Sequence, residues 1–293
     1  MIQKKKREHQ LSLSFSYNTY HIYKYIYTYK HIYIYIYKSI STMLNATVNV
    51  DGTLLRVVKA LNVCSTNVLN AFKSSTFATK YKNPTRLVAV SKIKPVELLR
   101  AVYDQGHRHF GENYVKEICE KAPQMPDDTN WHFIGHLQSN KCNALVKGVP
   151  SLYMVETVDT VKLANKLNNA CENAGRKEKL KVMIQVNTSG EDQKSGCQPN
   201  DTSDIVKHVL SSCNKLDFAG LMTIGVYGEG AEECFEVLVK CREQVANDIE
   251  VDPLTLELSM GMSGDFASAI AMGSTNVRCG STIFGARDYS KKK

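Results

Sequence analysis

Residues 86–113 read RLVAVSKIKPVELLRAVYDQGHRHFGEN, and this stretch decides the fold. Its first part, RLVAVS, is a short apolar run typical of a buried strand. Pro95 then stands at a first helical turn, and the following segment VELLRAVYDQG ends at Gly106, as helices commonly do. A second strand-like run, HRHFGEN, comes next. A strand, a helix and another strand in this order predict a βαβ unit with parallel strands.

The same alternation continues along the rest of the chain. The predicted strands cover residues 86–91, 107–113, 131–135, 151–157, 179–187, 215–225, 254–261 and 274–282. Helical spacing of apolar residues over residues 51–77 predicts one extra helix in front of them, with Asp51 as its cap. Eight repeats over about 250 residues predict an α/β protein with a single closed (β/α)8 TIM barrel. A doubly wound open sheet is the alternative, and it is disfavoured because no GxGxxG turn follows the first strand.

The positive charge of the chain is concentrated at its N-terminus. The formal net charge is +8, and residues 1–43 hold seven basic residues against one acidic residue. The other 250 residues carry 30 basic and 28 acidic groups, which gives no sign of a basic face, so we expect no nucleic-acid partner. No stretch approaches the roughly 20 apolar residues that cross a bilayer, so we also expect no membrane partner.

The first 43 residues do not read as part of a folded domain. Residues 17–37, YNTYHIYKYIYTYKHIYIYIY, hold nine of the fifteen tyrosines, and no secretory cleavage pattern follows them. We interpret residues 1–43 as a disordered low-complexity leader, preferably a gene-model extension before a start at Met43, with a targeting segment as the alternative. The predicted domain covers residues 44–290, and residues 291–293 form a basic tail. We expect a cytoplasmic protein, or a mitochondrial one if the leader is real.

The cysteines and histidines show no metal-binding pattern. The nine cysteines are odd in number and scattered, without a CxxC pair, which predicts free thiols in a reducing compartment and no metal site. His132 and His136 are four residues apart, but WHFIG is typical of a strand and a turn, so they would not share a helical face. We interpret these histidines as structural. Glu112 is a weak candidate for a general base because no second carboxylate accompanies it.

Barrel enzymes place their chemistry at the C-terminal ends of the strands. Lys92 directly follows the first strand, where partial desolvation makes its amine available for a Schiff base. Small-residue loops follow the last two strands, at residues 258–266 and 277–285. Their backbone N–H groups, with the hydroxyls of Ser259 and Ser263, favour a phosphate. These features suit pyridoxal 5′-phosphate (PLP), and they suit a Schiff-base aldolase acting on a sugar phosphate equally well.

Six segments carry a closer resemblance. They are AVSKIKP (89–95), HFGENYVKE (109–117), WHFIGHLQSNK (131–141), GLMTIG (220–225), ELSMGMSGDF (257–266) and VRCGSTIFGARDYS (277–290). In this order they closely resemble the pyridoxal phosphate homeostasis protein family, the proline synthetase co-transcribed homologues, which are related to the barrel domain of alanine racemase. The resemblance spans residues 51–290 and implies a single alanine racemase N-terminal-domain-like barrel that binds PLP.

The resemblance implies a role for each residue that matches a motif. Lys92 would hold PLP as a Schiff base, and Arg278 would approach the pyridine nitrogen. The phosphate would be surrounded by Ser259, Ser263, Gly280 and Ser281. Asn113 and the HFIGHLQ segment would line the same mouth. Cys279 stands where the family more often has an aliphatic residue, and we expect it to face the barrel interior with little effect.

The resemblance favours a PLP carrier in vitamin B6 homeostasis, without catalytic residues of its own. An arginine at the pyridine nitrogen disfavours protonation of the ring and weakens it as an electron sink. A racemase of this type also needs a second base, which alanine racemase takes from an added domain, and this chain stops at Lys293. Tyr114 or Tyr227 could substitute, so a PLP-dependent amino-acid racemase is the alternative, followed by a cofactor-free Schiff-base aldolase. We expect a monomer that delivers PLP to PLP-dependent apo-enzymes.

Overall fold

The computed structural model describes residues 52–191, 194–226 and 228–286. Its eight parallel strands follow one another in chain order around a closed barrel. They are β1 (Arg86–Val90), β2 (His109–Glu112), β3 (Asn130–Phe133), β4 (Leu152–Val158), β5 (Leu180–Gln185), β6 (Leu216–Met222), β7 (Glu257–Met262) and β8 (Asn276–Cys279). Pairing of Leu87 with Val277 and of Val88 with Arg278 joins β1 to β8. This closure confirms the predicted barrel and excludes the open sheet.

Helices connect the strands on the outside of the barrel. They are α1 (Gly52–Ser74), α2 (Val96–Tyr103), α3 (Val115–Lys121), α4 (Cys142–Gly148), α5 (Val161–Asn173), α6 (Thr202–Ser212), α7 (Ala231–Asp248), α8 (Phe266–Ala271) and α9 (Ser281–Phe284). The predicted extra helix is α1, which precedes β1. The one-turn helix α9 follows β8 where the sequence analysis expected only a loop. The predicted leader, the cap Asp51 and the tail at 291–293 lie outside the described residues.

The barrel interior contains different residue types from the layer between the strands and the helices. Outward strand residues such as Trp131 and Phe133 are fully buried in one large apolar cluster with the helices. Inside, Met154, Met183 and Met222 form a small apolar cluster of their own. Polar side chains of β3, β4, β7 and β8 are also buried in the barrel interior, and they support the site described below.

Cys279 faces outward, so the expectation that it faces the barrel interior is wrong. Successive residues of a strand point to opposite faces. On β8, Asn276 and Arg278 hydrogen-bond to groups inside the barrel, so Cys279 must point to the other side. There its thiol meets that of Cys64 on α1, within the apolar cluster that joins strands and helices.

The described residues hold free thiols, and they contain neither a membrane-spanning helix nor a metal-ligand cluster. All nine cysteines are free thiols, as predicted. No helix in the described part of the chain is long and apolar enough to cross a membrane. The same residues contain no group of three or more histidine, cysteine or acidic side chains arranged to hold a metal ion.

Candidate functional site

A cavity of about 230 Å³ lies at the C-terminal end of the barrel strands. Six of the seven predicted site residues line it: Lys92, Asn113, Ser263, Arg278, Gly280 and Ser281. Apolar wall residues, among them Ile134 of the HFIGHLQ segment and Met222 at the end of β6, separate the polar groups. A concave, largely apolar space with a few convergent polar groups is typical of a small-molecule site.

The loop after β8 lies close to the end of β1 because residue 280 is a glycine. A Cβ atom placed on Gly280 would lie 3.3 Å from both the Cβ and the carbonyl oxygen of Val90. A larger residue would push the loop after β8 away from the end of β1. The close approach brings Lys92 and Ser281 to the same cavity wall.

Lys94 also lines the cavity, and the sequence analysis missed it. Its Nζ donates to the carbonyl oxygens of Phe284, Gly285 and Ala286 at 3.0, 3.2 and 2.7 Å. Three acceptors match the three N–H donors of an ammonium group. Lys94 is therefore held as a cation that ties the end of α9 to the loop after β1. In the sequence, Lys94 could have been found from its position in the AVSKIKP motif, two residues after Lys92.

Arg278 is 5% exposed and is held from inside the barrel. Its Nη2 donates to the carbonyl oxygen of Thr223 at 2.7 Å, and its Nη1 donates to the Ser259 hydroxyl at 2.6 Å. Burial lowers the pKa of Arg278, and the negative charge of Glu156 acts in the opposite direction. The negative charge of Glu156 therefore lowers the free-energy cost of keeping the buried guanidinium of Arg278 charged.

Glu156 is the fully buried acid at the centre of this network, and the sequence analysis did not single it out. It accepts hydrogen bonds from His132 Nδ1 at 2.6 Å, Ser259 Oγ at 2.5 Å and Asn276 Nδ2 at 2.9 Å. Burial acts to raise its pKa, but the hydrogen bond and charge of His132, with the charge of Arg278, lower it to about 2. Glu156 is therefore an anion at neutral pH. In the sequence, Glu156 could have been found as an acidic residue inside the apolar run that forms β4.

The structure places Ser259 beneath Arg278 rather than on the cavity wall. Its side chain is fully buried, and its hydroxyl is engaged by Glu156, Asn276 and Arg278. The reason is the two-residue alternation of β7, which turns residue 259 inward, several residues before the strand ends. The expectation that Ser259 surrounds a phosphate finds no support in this position.

The histidines of β2 and β3 extend the network away from the cavity. His109 Nδ1 lies 3.0 Å from His132 Nε2. Burial, together with the nearby His132 and Arg86, lowers the pKa of His109 to about 2, so this ring is neutral. His136 is exposed, and its Nδ1 lies 3.2 Å from the Ser195 hydroxyl. These contacts agree with the structural interpretation of the histidines.

Asn113 is fixed at the cavity by the loop after β3. A Cβ atom on Gly135 would lie 2.1 Å from the carbonyl oxygen of Asn113, so only glycine allows the two backbones to approach this closely. The Oδ1 atom of Asn113 is buried and has no hydrogen-bond partner within the described ranges. An unpartnered buried acceptor on a cavity wall marks a place for a donor from a ligand.

We expect Gly135→Ala to lower the free energy of unfolding by about 2 kcal/mol, because the added methyl group meets backbone that cannot yield without a shift. The matched control is Gly264→Ala in the loop after β7, where a Cβ atom would meet nothing within 4 Å. Urea denaturation measures both variants. Equal stability of the two would contradict the close contact between Gly135 and Asn113.

The comparisons with known proteins agree with this geometry. A family model described as alanine racemase, N-terminal domain, matches residues 73–288. The pyridoxal phosphate homeostasis protein of Homo sapiens is 50% identical over 216 residues, which cover 71% of this chain and 78% of the relative. The structure of PipY from Synechococcus elongatus with PLP bound is 32% identical, has a TM-score of 0.59, and is matched over 71% of this chain and 97% of its own. A protein from Bifidobacterium adolescentis, described as unknown, is 29% identical with a TM-score of 0.70 over 81% and 98%.

The fold and the site first define a class of protein. The chain folds as a closed (β/α)8 barrel, and the family model that it matches describes this barrel as the N-terminal domain of alanine racemase. Within that class, the identity over most of the domain shows that this chain belongs to the pyridoxal phosphate homeostasis protein family. The resemblance stated from the sequence motifs is thereby confirmed.

Proposed function

We propose that this protein binds PLP as a Schiff base on Lys92 and takes part in intracellular PLP homeostasis and delivery. The observation that carries the proposal is the gathering of different polar groups at one small cavity. Two lysine side chains, a guanidinium, two serine hydroxyls and an unpartnered amide oxygen share its wall. The name of the human relative and the PLP bound in the PipY structure support the same cofactor.

The wall residues fit the parts of PLP. The Lys92 amine would bond to the aldehyde carbon, and the Arg278 guanidinium would face the ring nitrogen. The hydroxyls of Ser263 and Ser281 would hold the phosphate, and Asn113 Oδ1 would accept a hydrogen bond from the ring hydroxyl. When bound, the cofactor supplies an aldehyde that exchanges reversibly between amines. A carrier uses this exchange to hide the aldehyde and to release it.

We propose further that the protein does not turn over amino acids. Arg278 presents a positive charge where a protonated pyridine ring would require a negative partner. Lys94 directs its ammonium protons to three backbone carbonyls, which makes it a poor second base. Tyr114 is 46% exposed and outside the cavity wall, and Tyr227 lies outside the described residues. Handover to apo-enzymes, a monomeric state and a cytoplasmic location stay predictions from the sequence.

The racemase alternative has a direct test. The PLP-loaded protein is incubated with L-alanine in D2O, and proton NMR follows loss of the α-proton signal. We expect no exchange above that of free PLP. Exchange approaching the usual enzymatic turnover of about 1 s⁻¹ or more would contradict the carrier and favour the racemase.

We expect the hydroxyls of Ser263 and Ser281 to bind the phosphate group and no other part of PLP. We expect Ser263→Ala combined with Ser281→Ala to weaken PLP binding about tenfold or more, because a hydrogen bond to a charged group contributes about 1.5–3 kcal/mol. Binding of pyridoxal, which lacks the phosphate, should not change. Absorption titrations with both ligands measure this, with Ser211→Ala on exposed α6 surface as the control. Equal losses for the two ligands would refute the phosphate assignment.

A further inference from the structure

Both peptide groups that flank Lys92 are hydrogen-bonded to charged side chains of α3. The carbonyl oxygen of Ser91 accepts a hydrogen bond from Lys121 Nζ at 2.8 Å. The backbone N–H of Ile93 donates to Glu117 Oε1 at 2.6 Å. The chain is therefore held immediately before and immediately after the lysine that enters the cavity.

Lys121, Glu117 and Glu112 form one buried cluster, which we call the clamp. Lys121 Nζ donates to Glu112 Oε1 at 2.7 Å and to Glu117 Oε1 at 2.6 Å. With the Ser91 carbonyl, these contacts use all three ammonium protons. Glu112 also accepts from the Ser91 hydroxyl at 2.6 Å. The side chains of Glu112, Lys121 and Glu117 are 0%, 8% and 20% exposed.

Stability alone does not explain the clamp. Taking charges out of water carries a large desolvation cost, and apolar replacements of buried ion clusters are often neutral or stabilising. One clamp atom, Glu112 Oε2, is buried without a hydrogen-bond partner in the part of the chain that the structure describes. The cluster thus carries a desolvation cost at this oxygen.

The clamp also holds a strained residue. Ile93 has φ +59°, a left-handed conformation that is strained and rare for a β-branched side chain. Such strain persists only where the surroundings hold the backbone in place. The backbone N–H of Ile93 donates its hydrogen bond to Glu117. The turn at Ile93 redirects the chain directly after Lys92.

We infer that the clamp positions Lys92 for Schiff-base formation by fixing the backbone on both sides of it. This inference rests on the function proposed above. The Lys92 side chain is long and loses rotamer freedom when its amine is bonded, so a mobile backbone would add to the entropy lost. No clamp residue lines the cavity, so all three are positioning residues that act through Lys92.

The test compares an aldehyde ligand with an amine ligand. In Glu117→Ala, the Ile93 N–H loses its acceptor, and we expect the dissociation constant of PLP to rise about tenfold by absorption titration. Pyridoxamine 5′-phosphate carries an amine in place of the aldehyde and cannot form the Schiff base, so its affinity should match that of the wild type. Glu117→Gln keeps a carbonyl oxygen for the Ile93 N–H and should recover most of the PLP affinity. Glu120→Ala is the control, because Glu120 lies on the exposed face of the same helix.

The outcomes separate the two proposals. Unchanged PLP binding in Glu117→Ala, or equal losses for both ligands, would overturn the inference while leaving the Lys92 assignment intact. Failure of borohydride to trap PLP on Lys92 of the wild-type protein would overturn the proposed function and the inference with it. If Glu117→Ala does not fold, Ser91→Ala decides, since it removes the hydroxyl contacts to Glu112 and to the carbonyl oxygen of Gly111 and keeps all three clamp side chains. A loss of about threefold confined to PLP supports the clamp, and no loss refutes it.

Discussion

Replacing Lys92 with alanine is expected to abolish covalent attachment of PLP in the cavity of this protein. Lys92 and Lys94 are the lysines on the described cavity wall, and Lys94 already donates to three carbonyl oxygens. A Schiff base requires a neutral amine, which this environment disfavours at Lys94. In Lys92→Ala, borohydride reduction followed by peptide mapping should therefore find no PLP-labelled lysine in the cavity.

Weaker, non-covalent binding of PLP should persist in this variant, because the phosphate and ring contacts do not involve Lys92. Lys94→Met is the matched control. It should still be labelled at Lys92, although the loop tied to α9 is loosened. PLP trapped at Lys94 in Lys92→Ala would show that the two lysines exchange roles. Unchanged labelling in Lys92→Ala would place the covalent site elsewhere.

Glu156→Gln is expected to lower the free energy of unfolding by about 3 kcal/mol, the usual result of breaking a buried ion pair from one side. Glu156 accepts from three donors, and glutamine would turn an N–H₂ group toward some of them. Arg278 would also lose the buried negative charge that opposes the lowering of its pKa. Urea denaturation followed by circular dichroism measures the difference from the wild type.

The difference in free energy of unfolding between the wild type and Glu156→Gln should depend on pH, and the pKa of Glu156 gives the direction. The pKa of Glu156 is lowered to about 2 in the folded protein, below its usual value of about 4.3. A lowered carboxyl pKa contributes stability that is complete above the unfolded pKa and is lost as the pH falls through the folded one. The stability difference between wild type and Glu156→Gln should therefore narrow as the pH falls from about 4 to about 2.

Glu120→Gln is the control for both measurements. Glu120 pairs with Lys116 at 3.9 Å, and its side chain is 62% exposed, so the variant should lose about 1 kcal/mol at most. A Glu156→Gln protein as stable as this control would show that Arg278 does not depend on the buried carboxylate. A difference that widens on acidification would contradict the lowered pKa.

Much of the candidate site follows from local sequence patterns. Lys92 could be placed because it directly follows an apolar run, and the ends of parallel barrel strands meet at one face. Ser263, Gly280 and Ser281 could be placed because they belong to small-residue loops after the last two strands. Ser259 was grouped with them, and it lies deeper because its strand continues to Met262. A boundary displaced by a few residues is enough to move a side chain from the mouth of a barrel to its interior.

The sequence by itself determined the architecture of this protein, since each strand and helix carries its own apolar period and eight such units have one closed parallel arrangement. It also determined which residues stand at the strand ends, with Ser259 as the exception. Only the tertiary structure decided which polar groups share the interior. Glu156 and Arg278 are joined through Ser259 although β4 lies far from β7 and β8 in the chain, with Glu156 and Ser259 103 positions apart. The clamp around Lys92 likewise needs β2 and α3 packed beside β1. Contacts of this kind depend on closure, register and strand alternation acting together, and no local pattern along the chain encodes that combination.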